Sequence, residues 1–146
     1  MKKILVYYLF VFAVALSYAQ QNPIYTTRSV AIKGYDPVAY FTEQKVLEGS
    51  KNISLEWNGA TWLFSNEANR DLFKKNPEKY APQFGGYCAY AISQNYTYRS
   101  DPEVWKIVDG KLYLNYDKNT QKEWESKQTA YIRQAGENWP KVLEKQ

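Results

Sequence analysis

Histidine is absent from this 146-residue chain, and cysteine and methionine each occur once, as Cys88 and Met1. A nucleophilic cysteine needs a base that holds it as the thiolate, and the usual base is imidazole. Zinc and copper sites of the ordinary kinds need several cysteine or histidine ligands. A single cysteine also cannot form a disulfide within the chain. The composition therefore argues against histidine-assisted catalysis and ordinary soft-metal sites, and it leaves Cys88 as the only soft-ligand candidate.

The N-terminus has the three parts of a secretory signal peptide. A short basic start (residues 2–3) precedes an apolar run (residues 4–16), and residues 17–19 place small side chains at the positions that signal peptidase reads. The apolar run is shorter than the roughly 18 to 20 residues of a spanning helix. We therefore expect residues 1–19 to be removed on export to the periplasm or outside the cell, with no stable membrane span afterwards.

The charge balance gives little indication of a charged partner. The full chain has 19 basic and 15 acidic residues, and loss of Lys2 and Lys3 with the signal leaves 17 and 15, a net charge of +2. This excess is too weak to argue for nucleic acid or an anionic membrane. No linker or repeat divides the remainder. We predict a flexible lead-in at residues 20–28 and a single domain at residues 29–146.

Two β-hairpins are predicted by dipeptides that accept the positive φ angles of a type I′ turn. Asn58-Gly59 separates apolar-rich strands at residues 53–57 and 60–64, and Asp109-Gly110 separates strands at residues 104–108 and 111–114. Helical sequence lies between and after the hairpins. The pattern predicts an α+β fold, in which the hairpins form a small antiparallel sheet with several short helices packed on it.

The helix after the first hairpin is predicted from a capping residue and from its apolar spacing. Ser65 or Asn66 can cap a helix that runs to about Lys75. Its predicted inward face carries Ala68, Leu72 and Phe73. A second short turn starts at Pro77 and is anchored by Tyr80, and helices near Trp124 and Tyr131 follow, with a break before Val142.

Four blocks of the sequence resemble an exported YHS-domain protein: residues 34–41, 57–64, 77–90 and 108–116. Metal-handling members of that family carry a cysteine after the Asp-Pro-Val element and a Cys-x-x-x-Cys pair after the hairpin. On this sequence those positions correspond to Ala39, Ser65 and Asn69, and the histidine of the domain's name is missing. The resemblance thus implies a YHS-like domain without the family's thiol ligands, because soft metals gain affinity from thiolate and imidazole.

Cys88 has three interpretations. It is a buried inert thiol, a ligand or metal contact, or a redox thiol that forms a mixed disulfide with a partner. Gly85 and Gly86, just before it, form either a simple turn or a close backbone approach to a ligand. Asp36, before Pro37, either bonds its own downstream amides in a turn or contacts a ligand or hard cation. In each of the last two cases the turn is the stronger interpretation.

Tyrosines close to these residues suggest a binding cleft, because a tyrosine offers both a flat face and a hydroxyl. If the segments around residues 35–40 and 87–90 meet, they form an aromatic cleft that contains Cys88. The predicted ligand-binding residues are Tyr35, Asp36, Tyr40, Tyr87, Cys88 and Tyr90. Tyr96 and Tyr98 are further candidates for a pocket, and most of these rings are equally explained as core or rim.

The functional prediction is a non-catalytic exported YHS-domain protein that binds a small ligand or a metal species in an accessory role. No cofactor or protein partner is specified by the sequence. The alternative is a thiol-redox accessory that acts through Cys88, and it requires an accessible thiol. A third class, an enzyme with tyrosine or lysine as general acid or base, has no support in the residue spacing.

Overall fold

The computed structural model describes residues 21–145, so the predicted signal peptide lies outside the described residues. The strands are β1 (Thr26–Thr27), β2 (Val30–Ala31), β3 (Ser50–Trp57), β4 (Ala60–Phe64), β5 (Asp101–Val108) and β6 (Lys111–Asn115). The helices are α1 (Ala39–Thr42), α2 (Glu67–Lys75), α3 (Pro77–Tyr80), α4 (Ala89–Ser93), α5 (Lys118–Ser126) and α6 (Gln128–Asn138). Short 3₁₀ turns lie at Ile32–Gly34, Gln83–Gly86 and Lys141–Glu144. Within residues 21–145 there is no helix with the length and apolar character needed to cross a bilayer.

Both predicted hairpins are confirmed. β3 and β4 pair in antiparallel fashion around Asn58 and Gly59, whose φ angles are 50° and 76°. β5 and β6 pair in the same way around Asp109 and Gly110, at 51° and 73°. Two successive positive φ angles are the requirement of a type I′ turn, and asparagine, aspartate and glycine accept them most readily.

The hairpins belong to two separate sheets. The first sheet has four strands in the order β1-β2-β4-β3, in which β2 and β4 are parallel, whereas the second contains only β5 and β6. The predicted α+β class is confirmed. The predicted common sheet is replaced by two, because the free edge of β4 pairs with the short strand β2 and is not available to the second hairpin.

Helix α2 begins after Asn66, whose side-chain oxygen accepts a hydrogen bond from the backbone N–H of Asn69 as predicted for a cap. Its inward face differs from the predicted one. Asn69 and Phe73 are buried, while Ala68 and Leu72 are exposed. The difference has a polar cause, because the Asn69 side-chain amide donates a hydrogen bond to the buried carboxylate of Asp36. This bond turns the face of α2 that carries residues 69 and 73 toward the core. The short helix anchored by Tyr80 is confirmed.

The main core lies between the first sheet and α2. Phe73 is fully buried, and its ring lies 4.9 Å from that of Trp62, 5.3 Å from Phe64 and 5.7 Å from Trp57. Smaller clusters lie under the C-terminal helices, one around Ile92 and Leu143 and one around Trp124. Aromatic rings therefore supply much of the buried area in this small domain, as the composition indicates.

Part of the segment predicted as a flexible lead-in, residues 20–28, is packed on the domain. Ile24 is buried in the main core, and the backbone N–H of Tyr25 donates to the carbonyl of Gly85 at 2.9 Å. Thr26–Thr27 then forms the edge strand β1. The domain boundaries themselves stay a prediction.

Candidate functional site

Asp36 lies just before α1 and is completely buried. Oδ1 accepts hydrogen bonds from the backbone N–H groups of Val38, at 2.8 Å, and Ala39, at 3.3 Å. Oδ2 accepts from Ser65 through its backbone N–H at 2.8 Å and its hydroxyl at 2.6 Å, and from Nδ2 of Asn69 at 2.8 Å. The first pair forms the turn that Asp-Pro sequences favour. The second set ties this turn to the start of α2.

The three positions that the YHS resemblance equates with cysteines meet at this carboxylate. Ala39 contributes its backbone N–H, and Ser65 and Asn69 contribute side chains. These groups do not fit a soft metal, because they include no thiolate or imidazole, and the carboxylate already accepts five hydrogen bonds. Within residues 21–145, no group of three or more histidine, cysteine, aspartate or glutamate side chains could hold a metal ion. The position therefore acts as a hydrogen-bonded cross-link.

The two tyrosines predicted near Asp36 serve packing. Tyr40 is buried, its hydroxyl donates to the carbonyl of Pro102 at 2.8 Å, and its ring meets that of Trp105 edge to face at 5.1 Å. Burial raises the pKa of the Tyr40 hydroxyl far above its usual range. Tyr35 is half-buried and bridges to Glu48 by backbone pairing. Neither hydroxyl is poised to lose a proton near neutral pH.

Cys88 is also buried, with 1% of its surface exposed. Its Sγ lies 3.6 Å from Oδ1 of Asn115, which also accepts a hydrogen bond from the backbone N–H of Tyr90. Burial raises the pKa of the thiol, which disfavours the thiolate. The preceding residue, Tyr87, donates a hydrogen bond from its hydroxyl to the carbonyl of Asn22. This environment matches the interpretation of Cys88 as a small packed hydrophobe.

The tyrosines of the two predicted segments belong to different hydrophobic clusters, and the common cleft stays a prediction. Tyr35 and Tyr40 belong to the main core, Tyr87 to the cluster around Ile92, and Tyr90 to the cluster around Trp124. Within residues 21–145, no described hydrogen bond or ring contact joins residues 35–40 to residues 87–90. Tyr96 and Tyr98 are exposed, and the Tyr98 ring contacts those of Tyr96 and Tyr116 beside Arg99. The carbonyl of Tyr98 accepts a hydrogen bond from the backbone N–H of Cys88 at 3.0 Å.

We expect the Cys88 thiol to react with an aromatic disulfide reagent at least about a hundredfold more slowly in the native protein than after denaturation, because labelling requires the fold to open. Stopped-flow labelling with and without guanidinium measures this ratio. A Ser54→Cys variant supplies an exposed thiol in the same chain as a positive control. Equal native rates for Cys88 and the control would restore the redox alternative.

A pocket of about 290 Å³ lies where the first hairpin meets the C-terminal segment. We call it the junction pocket and define it by its lining: Pro23, Ile24, Trp57, Asn58, Glu78, Ala81, Pro82, Gln83, Phe84, Gly85, Trp139 and Pro140. Its walls are largely apolar, with a few neutral polar groups and one ionisable side chain, that of Glu78. Pockets of this kind, apolar with few polar groups, are the usual sites for small ligands.

Gly85 allows the N-terminal segment to pack closely against the turn that forms one wall of the junction pocket. Its φ is +63°, and a Cβ built on it would lie 1.8 Å from the carbonyl oxygen of Pro23. Only glycine fits such an approach. The preceding residue, Phe84, also has a positive φ, of 55°, and its ring lies 6.1 Å from that of Trp139. Strained backbone of this type recurs at binding sites. The glycine therefore serves both the turn and the close approach of the N-terminal segment.

The aromatic members of the junction pocket were not among the residues predicted from sequence. In the sequence, Trp57 ends the first strand of a predicted hairpin and Phe84 lies within the block of residues 77–90 that resembles YHS domains. These residues come from β3, from the Gln83–Gly86 turn and from the end of α6, so no local spacing connects them. The one local signal was the pair Gly85-Gly86, interpreted mainly as a turn.

In a comparison with known protein families, residues 38–84 match the family model of the YHS domain. The matched segment starts beside the Asp36 turn, contains both Ser65 and Asn69, and ends at Phe84 in the wall of the junction pocket. It supports the YHS part of the resemblance seen in the sequence. No curated protein and no solved structure matches the chain significantly.

Proposed function

We propose that this chain is an exported, non-catalytic binding protein of YHS type that holds a small organic ligand in the junction pocket. The observation that carries the proposal is the convergence of Trp57, Phe84 and Trp139 on one pocket from distant parts of the chain. Large rings that are only half-buried leave apolar surface available to a ligand. Export is inferred from the sequence of residues 1–19, which lie outside the described residues.

A small molecule is favoured over a soft metal species as the ligand. The thiol positions of metal-handling YHS domains are occupied here by Ala39, Ser65 and Asn69, which bond the carboxylate of Asp36. The remaining soft donor, Cys88, is buried beside Asn115. The YHS match remains consistent with a metal-related accessory role, so the experiment below measures metal as well.

The side chains that the sequence offers as candidates for catalysis are buried or hydrogen-bonded within the fold, which supports a role without catalysis. Asp36 accepts five hydrogen bonds, and burial raises the pKa of both Tyr40 and Cys88. A general acid or base needs a pKa near the working pH and access to substrate. A redox accessory acting through Cys88 is disfavoured by the same burial.

Native mass spectrometry with metal analysis tests this proposal on mature protein purified from its export compartment. We compare the wild type with Gln83→Trp, which places a ring in the junction pocket, and with Gln134→Trp, the same change at an exposed site on α6. We expect a bound organic mass in the wild type and in Gln134→Trp, and its loss in Gln83→Trp.

Two results would contradict the proposal. One is a bare chain in all three proteins. The other is a bound mass or metal that survives in Gln83→Trp but disappears in a Cys88→Ser variant, which would move the site to the thiol.

A further inference from the structure

We infer that the ligand of the junction pocket is a small organic cation of the ammonium type. This inference rests on the proposed function and specifies its ligand class. It is carried by the charge of the lining, by its three large aromatic rings and by the carboxylate of Glu78, which forms no ion pair within residues 21–145.

The lining of the junction pocket is locally acidic in a basic protein. Among its residues Glu78 alone is ionisable, and Asn58 and Gln83 supply the neutral polar groups. The full chain, in contrast, has a formal net charge of +4. An anionic ligand would therefore meet a like charge and no basic side chain in this lining, whereas a cation would meet its complement.

The aromatic rings suit a cation because the face of an aromatic ring carries negative potential, and tryptophan attracts cations best. Phe84 and Trp139 contact each other with ring centroids 6.1 Å apart. The Trp57 ring packs instead on Trp62 and Phe73, each at 5.7 Å. All three rings belong to the lining of the pocket, so it offers a cation two tryptophans and one phenylalanine.

The carboxylate of Glu78 is available to such a ligand. Within residues 21–145 the ion pairs are Arg70 with Asp71 and Lys106 with Glu125, and neither involves Glu78. The neighbouring Lys79 ammonium lies over the Tyr80 ring, 5.1 Å from its centroid. The cavity volume of about 290 Å³ lies just below the roughly 300 to 1,000 Å³ of ligand pockets, so the cation is small.

Titration of the mature protein with choline, followed by tryptophan fluorescence and calorimetry, tests the inference. The matched probe is the neutral carbon isostere of choline, in which a tert-butyl group replaces the trimethylammonium group. Because cation–π attraction and the Glu78 carboxylate act on charge alone, we expect the isostere to bind at least about tenfold more weakly.

The variants Glu78→Gln and Glu67→Gln separate the pocket carboxylate from a general helix effect. Both glutamates are exposed acids in the first turn of a helix, but only Glu78 lines the junction pocket. We expect Glu78→Gln to weaken choline binding by about three- to tenfold and Glu67→Gln to leave it unchanged.

Three outcomes would overturn the cation inference: equal affinity for choline and its isostere, equal behaviour of the two glutamine variants, or no binding of choline. If the isostere bound the wild type as tightly as choline and this binding were lost in Gln83→Trp, the proposed function would stand and the cation inference would fail. Native mass spectrometry decides the proposed function independently of either probe.

Discussion

Replacement of Asp36 by alanine is expected to lower the free energy of unfolding by about 4 kcal/mol, because it leaves several buried donors without an acceptor. The carboxylate accepts from Val38, Ala39, Ser65 and Asn69, and it is completely buried. Each unsatisfied buried donor costs about 1 to 3 kcal/mol, and entering water recovers part of that loss. Urea denaturation followed by tryptophan fluorescence measures the change.

Two further variants make this measurement specific to the cross-link. Asp36→Asn keeps one acceptor oxygen, but its amide N–H groups face other donors. We therefore expect it to lower the free energy of unfolding by about half as much as Asp36→Ala. Asp71→Ala removes an exposed carboxylate that pairs with Arg70, and we expect a loss below about 0.5 kcal/mol. If Asp36→Ala lowered the free energy of unfolding by no more than Asp71→Ala, the buried carboxylate would not hold α1 to α2.

Truncation of Phe73 to alanine should cost about 4 kcal/mol, since it removes a fully buried ring from the centre of the main core. The cavity would border the rings of Trp57, Trp62 and Phe64, which α2 holds against the first sheet. The same denaturation experiment reports the loss, and the fluorescence of the adjacent tryptophans should change with it.

The neighbouring Leu72 provides the matched control. Leu72→Ala removes a side chain that is 37% exposed, so we expect a loss below about 1 kcal/mol. Comparable losses for the two variants would mean that α2 buries both residues, as the spacing of apolar residues predicts. The expected difference follows from the helix rotation that places Asn69 under Asp36.

Local chemistry was sufficient to predict the hairpins and the starts of α2 and α3. Asn58-Gly59 and Asp109-Gly110 tolerate two positive φ angles, and Asn66 caps α2 through its own side chain. These signals depend on residues at most three positions apart. They are therefore readable without knowledge of the rest of the fold.

The helix face and the candidate site were less predictable. The inward face of α2 follows a buried hydrogen bond between Asn69 and a residue 33 positions earlier. The predicted tyrosine cleft required two segments to meet, and they lie in different clusters. The junction pocket combines residues 57, 84 and 139, whose separation along the chain leaves no periodic pattern to detect.

The absence of histidine and the single cysteine restrict the available chemistry in any fold, because side-chain donors cannot be supplied by the backbone conformation. The turn residues likewise specify their own local geometry. Burial, in contrast, depends on which distant surfaces meet. It removes Cys88 from solvent, engages the carboxylate of Asp36 and leaves Trp57, Phe84 and Trp139 around an open pocket. The same residue types would be exposed or buried differently in another arrangement of these elements, so only the long-range packing assigns their roles.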